Sequence, residues 1–317
     1  MSVMNTICAR ITGGSGSNRL NLLRLPVERR KVLNQVSMEV RAITAGTPAD
    51  IDLAAVRAYL DRLRPATDGE APPITEDELR SRRVLAEVSG SLHPTLYGVM
   101  AFGKEPQHFR RTMSFRVNCV AYAGRDRASD VLLVGEANGR LDEQVQRALG
   151  WIHVLGWRES YSGLIREDIP LIPEKALREA LVNAVVHRDY AITGSKVLLE
   201  VFADRIAITS PGTLPNQSRR AFQARDSKKQ AAGGRFYLTV DSVRAGGHPR
   251  SRNELMANYM LVMGAMEQRG RGWPVMRRAM REFNGTDAEL TQDEGGKFVR
   301  VTLRLEGGAG TQEIRRV

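Results

Sequence analysis

Cysteine is nearly absent from this chain: Cys8 and Cys119 are the only two in 317 residues, far apart and at no zinc-ligand spacing. They leave no basis for a disulfide framework, and a reducing compartment fits them. Long apolar runs are missing too. No stretch approaches the ~18 apolar residues of a membrane span, and the opening MSVMNTICARITGGSGSNRL has no apolar core of signal-peptide type. The expectation is a cytoplasmic protein without a membrane partner. His93, His108 and His153 stand at no metal-ligand spacing. The phosphate-loop string G-x-x-x-x-G-K-[ST] does not occur, since Gly103-Lys104 is followed by Glu105, so a P-loop motor is excluded. There is no internal repeat.

Acidic residues are outnumbered, 36 Asp and Glu against 47 Lys and Arg, for a formal charge of +11. That balance suits a polyanionic partner such as nucleic acid or nucleotide phosphate, and equally a plain basic surface. A chain of 317 residues with 42% apolar and 26% charged composition has room for about two ordinary globular domains.

The stretch that organises the chain runs from Pro173 to Pro215. It reads as an amphipathic helix, a loop, a two-stranded hairpin and a glycine turn. Glu179, Asn183 and His187 recur every four residues, which stacks a carboxylate, an amide and an imidazole along one helical stripe. Leu177, Leu181, Val182 and Val185 supply the core face. Asparagine is a poor residue for a helix interior, so Asn183 suggests a site more strongly than a glutamate does. Glu179 read alone is a solvated carboxylate, and His187 read alone fixes the helix end through Asp189 or a backbone carbonyl.

Around that stretch the pattern predicts helices over 50–63, 76–88 (Thr75 and Glu78 forming a capping box), 142–155, 253–264 and 273–283. Strands are expected over 115–122, 196–202, 206–209 and 297–305, and 96–102 is either helix or buried strand. Residues 65–73 read as a linker. Residues 217–238 are a basic insertion in which Arg219, Arg220, Arg225, Lys228, Lys229 and Arg235 face the single acid Asp226; the five from Arg219 to Lys229 are the nucleic-acid candidates. Arg188 and Asp189 read as a surface pair, and Arg250 and Arg252 either as phosphate ligands or as a solvated loop.

LREALVNAVVHRDY, the hairpin, SPGTLP, GGHPRSRNELMA and RGRGWPVMRRAMREF, in that order, resemble the C-terminal region of a bacterial and archaeal family labelled RecG-like helicases or Schlafen/Alba-type transcriptional regulators. The resemblance covers about residues 96–305. It implies an α+β protein: a Bergerat-like (GHKL) α/β sandwich with helices on one face of a mixed sheet, preceded by a smaller α+β segment. By that resemblance, residues 1–70 are a truncated Alba-like region and 71–165 a connecting segment. Residues 166–306 are then the ATP-binding domain and 307–317 a frayed tail.

The resemblance also implies ATP and Mg²⁺ as co-ligands. Glu179 would activate water, Asn183 would ligate magnesium, and His187 would lie by the phosphates. Ser210 and Gly212 stand at the adenine turn, where the family pattern has an acid and this chain has serine. Gly246 and Gly247 would hinge a lid, and Gly270, Arg271 and Gly272 would form the phosphate turn. The expected role is a nucleotide-responsive regulator, with slow hydrolysis, DNA as a partner and the assembly state all left open. Two rivals stand beside it: a nucleic-acid-binding regulator with a vestigial pocket, and a non-catalytic interaction domain.

Overall fold

The computed structural model describes residues 37–63, 72–155, 158–162, 165–214, 239–245, 251–266, 272–293, 295 and 297–305. Apart from Ser37 these all belong to one compact unit, Met38–Val317. The readings made for residues 1–36, 65–71, 217–238 and 307–317 lie outside the described residues.

After short 3-10 turns at Met38–Val40 and Pro48–Asp50, helix α1 spans Leu53–Leu63 and α2 spans Glu76–Ser81. The Thr75 hydroxyl accepts the Glu78 N–H at 3.2 Å, the cap that starts α2. The helix expected to run on to residue 88 stops at Ser81. Arg83 takes a left-handed φ of 64°, and the chain turns into strand β1, Leu85–Val88. Ser89 and Gly90, both at positive φ, make the two-residue turn to β2, Ser91–Pro94. Residues Leu96–Phe102 form a helix, α3, capped by Thr95 and wholly buried.

The centre is a six-stranded mixed sheet. Its strands are β3 (Val117–Tyr122), β4 (Val131–Ala137), β7 (Val197–Val201), β8 (Arg205–Pro211), β9 (Glu289–Gln292) and β10 (Phe298–Arg304). The order is β4-β3-β7-β8-β10-β9, antiparallel throughout except for the parallel pair β3–β7. A separate hairpin pairs β5 (Arg158–Ser162) with β6 (Ile165–Ile169). The sheet takes β3 and β4 from the segment read as connecting, so it crosses the boundary expected at 165/166.

Helices α4 (Leu141–Val154), α5 (Glu174–Val186), α6 (Val240–Arg244), α7 (Glu254–Val262) and α8 (Gly272–Asn284) complete the described elements. One face of the sheet presents Val117, Cys119, Ala121, Val197, Leu199, Val201, Ile206 and Ile208. All are buried in the same core as Leu177, Leu181 and Val185 of α5 and Met276 and Met280 of α8. Strand alternation puts Val120, Tyr122 and Ala207 on the other face, where they meet Phe202 in a small separate cluster. The Tyr122 and Phe202 rings stack there, 5.0 Å apart. Helix α5 packs against both β8 and α8.

Candidate functional site at the junction of α5, β8 and α8

Helix α5 follows Pro173, whose fixed φ suits a helix start, and its Ala- and Leu-rich interior propagates well. Asn183 Nδ2 donates to Glu179 Oε1 at 2.8 Å, the i,i+4 contact that the spacing predicts. That bond engages the amide nitrogen and leaves Oδ1 as the amide's other polar atom. Glu179 is buried rather than solvated. Its carboxylate lies against Gly272, the first residue of α8; a Cβ built there would overlap Glu179 Oε1. Gly272 thus has no side chain because the carboxylate occupies its place. The pairing sets an acid beside the positive end of a 13-residue helix. Trp273 Nε1, one residue on, is buried with no hydrogen-bond partner among the described residues.

His187 is the C-cap of α5, its N–H donating to Asn183 O at 3.0 Å. Its half-buried ring has Nδ1 3.4 Å from Ser251 Oγ. Burial first, and the Arg252 charge second, hold its pKa down at about 4, so the imidazole is neutral at pH 7. The predicted partner Asp189 is engaged elsewhere: Oδ1 accepts the Ala191 N–H at 3.0 Å, and Oδ2 pairs with Arg252 at 2.5 Å.

The glycine turn closes against the same corner. Ser210 Oγ donates to Ala184 O at 2.7 Å, tying the end of β8 to α5. Ser210 and Pro211 still belong to the strand, and the bend begins at Gly212. Gly212 has φ +121°, and a Cβ there would fall 2.7 Å from Asp189 Cβ. The Asp189 N–H donates to Pro211 O at 2.7 Å and the Gly212 N–H to Lys297 O at 2.6 Å. The turn that lacks an acid of its own therefore rests on Asp189, in the loop just beyond the C-cap of α5.

Three consecutive residues that sequence reasoning did not join lock this corner. Ser251 meets His187; Arg252 also donates to Thr213 O and Oγ1 at 2.8 and 3.0 Å; buried Asn253 donates to Val186 O and Arg188 O at 2.7 and 3.0 Å. Arg252 is thus a latch rather than a solvated side chain. Arg188 is equally unlike the surface residue expected. It is buried, donates to the carbonyls of Ser114, Ile192 and Ser195, and lies over the Phe115 ring at 4.4 Å. Desolvation lowers its pKa to about 10, which leaves it charged. Glu179, Asn183 and Gly272 thus converge, and His187, Ser210 and Gly212 border them. Gly246, Gly247, Gly270, Arg271, Arg219, Arg220, Arg225, Lys228 and Lys229 lie outside the described residues. No cluster of three or more His, Cys, Asp or Glu side chains that could hold a metal occurs among the described residues. None of their helices is long and apolar enough to cross a membrane.

Residues 230–303 match a family model described as "Putative ATP-dependent DNA helicase recG C-terminal". The match takes in α6, α7, α8, β9 and most of β10, and so the Gly272 half of the site. Helix α5, with Glu179 and Asn183, precedes it. The fold is similar to that of a solved structure, the DIP2311 protein from Corynebacterium diphtheriae. The two are 19% identical with a TM-score of 0.55, over 87% of this chain and 48% of that one. This chain therefore spans about half the length of that protein, and the likeness is one of fold. Comparison with curated proteins finds no match.

Proposed function

We propose that this corner is an ATP site, with Mg²⁺ as co-ligand. The observation that carries the reading is the joined Glu179–Asn183 pair set against the side-chain-free start of α8. The RecG-like match over 230–303 supports it independently from the α8 side. A helix N-terminus offers unpaired N–H groups to phosphate oxygens. Gly270 and Arg271 immediately precede it in sequence and complete the phosphate turn in this reading.

The donor set fits magnesium only in company with nucleotide. No carboxylate cluster occurs among the described residues, so in this reading the protein contributes Asn183 Oδ1, and phosphate oxygens and water supply the rest, as magnesium commonly requires. When bound, the ion would neutralise phosphate charge. Glu179, oriented by the Asn183 amide, is the base that would take a proton from an attacking water. Ser210 gives its proton to Ala184 O, which leaves its lone pairs to accept from the adenine amine.

Nucleotide binding rather than strand separation is the activity proposed, in keeping with the absent P-loop string, and the role is regulatory: binding would couple to the Ser251–Asn253 latch beside it. The net charge of +11 makes DNA a candidate partner in that role, one that a steep salt dependence of affinity would reveal. Thermal melting with ATP, with and without Mg²⁺, tests the nucleotide reading. It predicts a stabilising shift that needs both ligands and is lost in Asn183→Ala. Equal shifts for both proteins, or none for wild type, would overturn it.

A further inference from the structure

Four arginines around the end of strand β2 are not committed to the fold. Arg41, Arg83, Arg110 and Arg111 make no ion pair and no side-chain hydrogen bond among the described residues. Their neighbours differ: Arg80 pairs with Asp77 and Glu87, and Arg82 with Glu78. The backbone gathers the four. Segments 41–43 and 83–84 flank Thr95 from opposite sides. The Leu96 N–H donates to Arg41 O and the Ile43 N–H to Pro94 O, both at 2.8 Å. The Thr95 N–H donates to Val84 O at 2.9 Å, and its hydroxyl to Arg83 O at 2.6 Å. Two strand spacings, roughly 10 Å, thus separate Arg41 from Arg83. Phe109 seats a third segment, its ring lying on Gly46 beside Pro94, where a Cβ would come within 3.1 Å of its Cζ. Arg110 and Arg111 follow directly. Arg41, Arg83 and Arg110 are exposed and Arg111 is half-buried. Burial first, and the Arg41 charge second, lower the Arg111 pKa without discharging it, so two like charges stand within reach of each other. Arg83 also holds a left-handed φ of 64°, which glycine would adopt with less strain. Strain kept beneath an exposed, unpaired cation points to a role other than stability.

We propose that Arg41, Arg83, Arg110 and Arg111 form a surface that takes the phosphodiester backbone of a nucleic acid. The inference rests on the reading of DNA as a partner and gives that partner a surface apart from the 217–238 insertion; it does not depend on the nucleotide site. Charge complementarity selects the occupant. A guanidinium is a planar fork of donors that matches two phosphate oxygens at once. Cations drawn from three segments suit a row of phosphates better than a single one. Contacts of this kind position a duplex without reading its sequence, and each releases counterions, so affinity falls steeply with salt. Arg80 and Arg82, adjacent in sequence, stay outside the surface because acids of α2 and β1 already hold them.

Fluorescence anisotropy of the full chain with a labelled DNA duplex of mixed sequence, over a salt series, tests this. Wild type should bind at low salt with a steep salt dependence. Arg41→Ala and Arg111→Ala should each weaken binding several-fold and flatten the log–log salt slope by about one. Arg278→Ala, which removes an equally exposed and unpaired charge from α8, should leave the slope unchanged. Arg83→Gly gives a readout that a merely structural role would not: it should weaken binding while raising the melting temperature. A wild type that binds no DNA at low salt would overturn the surface and the DNA partner together. Binding that substitutions at the four arginines leave intact, or that Arg278→Ala weakens as much, would overturn the surface alone. So would tighter binding to anionic phospholipid vesicles than to DNA at equal phosphate concentration. Should the half-buried Arg111→Ala fail to fold, the exposed Arg110→Ala decides in its place.

Discussion

The Glu179 carboxylate stands where a side chain on Gly272 would have to go. Two stretches about ninety residues apart in sequence thus share one small volume, and both bear on the proposed chemistry.

Gly272→Ala tests that shared volume. Glycine-to-alanine exchange in a helix ordinarily gains roughly 0.5–1 kcal/mol, whereas overpacking costs about 1–3 kcal/mol. Overpacking should win here, because the obstructing atom belongs to a buried carboxylate. Urea titration should show net destabilisation, and Glu179→Ala in the same chain should relieve it, with a coupling of about 0.5–3 kcal/mol. Additive effects would contradict the geometry.

Gly212→Ala should be destabilising for a different reason. At φ +121° alanine is strained even in open space, and here Asp189 Cβ stands 2.7 Å from the new methyl. A loss of about 1–3 kcal/mol is expected, measured by chemical denaturation. Asp189→Gly in the Gly212→Ala background should recover the steric part only.

The latch gives an ordering of effects. Asn253→Ala strips the buried carbonyls of Val186 and Arg188 of donors, at about 1–3 kcal/mol. Arg252→Ala removes a half-buried pair whose members stay partly wet, so its effect should be smaller. Hydrogen exchange should speed up across α7 in Asn253→Ala more than in Arg252→Ala.

Acidification separates His187 from the carboxylates. Its folded pKa of about 4 lies below the ordinary 6.5, so the unfolded chain binds the proton more readily. That contribution is fully present above pH 6.5 and is lost as pH falls towards 4. Asp287, held at about 2 by Arg277 and Arg281 against its ordinary 3.8, loses its contribution only at lower pH. A His187→Gln variant should therefore show a flatter stability profile between pH 6.5 and 4 and an unchanged slope below pH 4.

Much of this was legible in sequence where the signal is local. The spacing of Glu179 and Asn183 predicts their contact, and alternating aliphatic runs predict β3, β7, β8 and β10. Helical periodicity extended α2 too far because Arg83 adopts a left-handed turn that its residue type does not announce. The Ser89-Gly90 turn was a readable signal for β1 and β2 that the capping pattern just before it obscured. Strand β4 has a sequence signal of its own, since VLLV is rich in β-branched and aliphatic residues, but it is too short to stand out beside the longer alternating runs. The latch could not be read at all. Asn253 and Val186 lie 67 residues apart, and a polar Ser-Arg-Asn run gives no sign that its donors are turned inward. Arg188 shows the same limit, since a buried guanidinium satisfied by carbonyls looks like any surface arginine in sequence.

The most direct test of the nucleotide site is isothermal titration of ATP, with Mg²⁺ present and then omitted, into wild type and Asn183→Ala of matched melting temperature. The proposed site predicts binding to wild type that weakens at least about tenfold, or 1.4 kcal/mol, when either the metal or the Asn183 amide is removed. Removing both should weaken it little further, because they act at one place. No heat with wild type, or equal affinity for the two proteins in Mg²⁺, would contradict it.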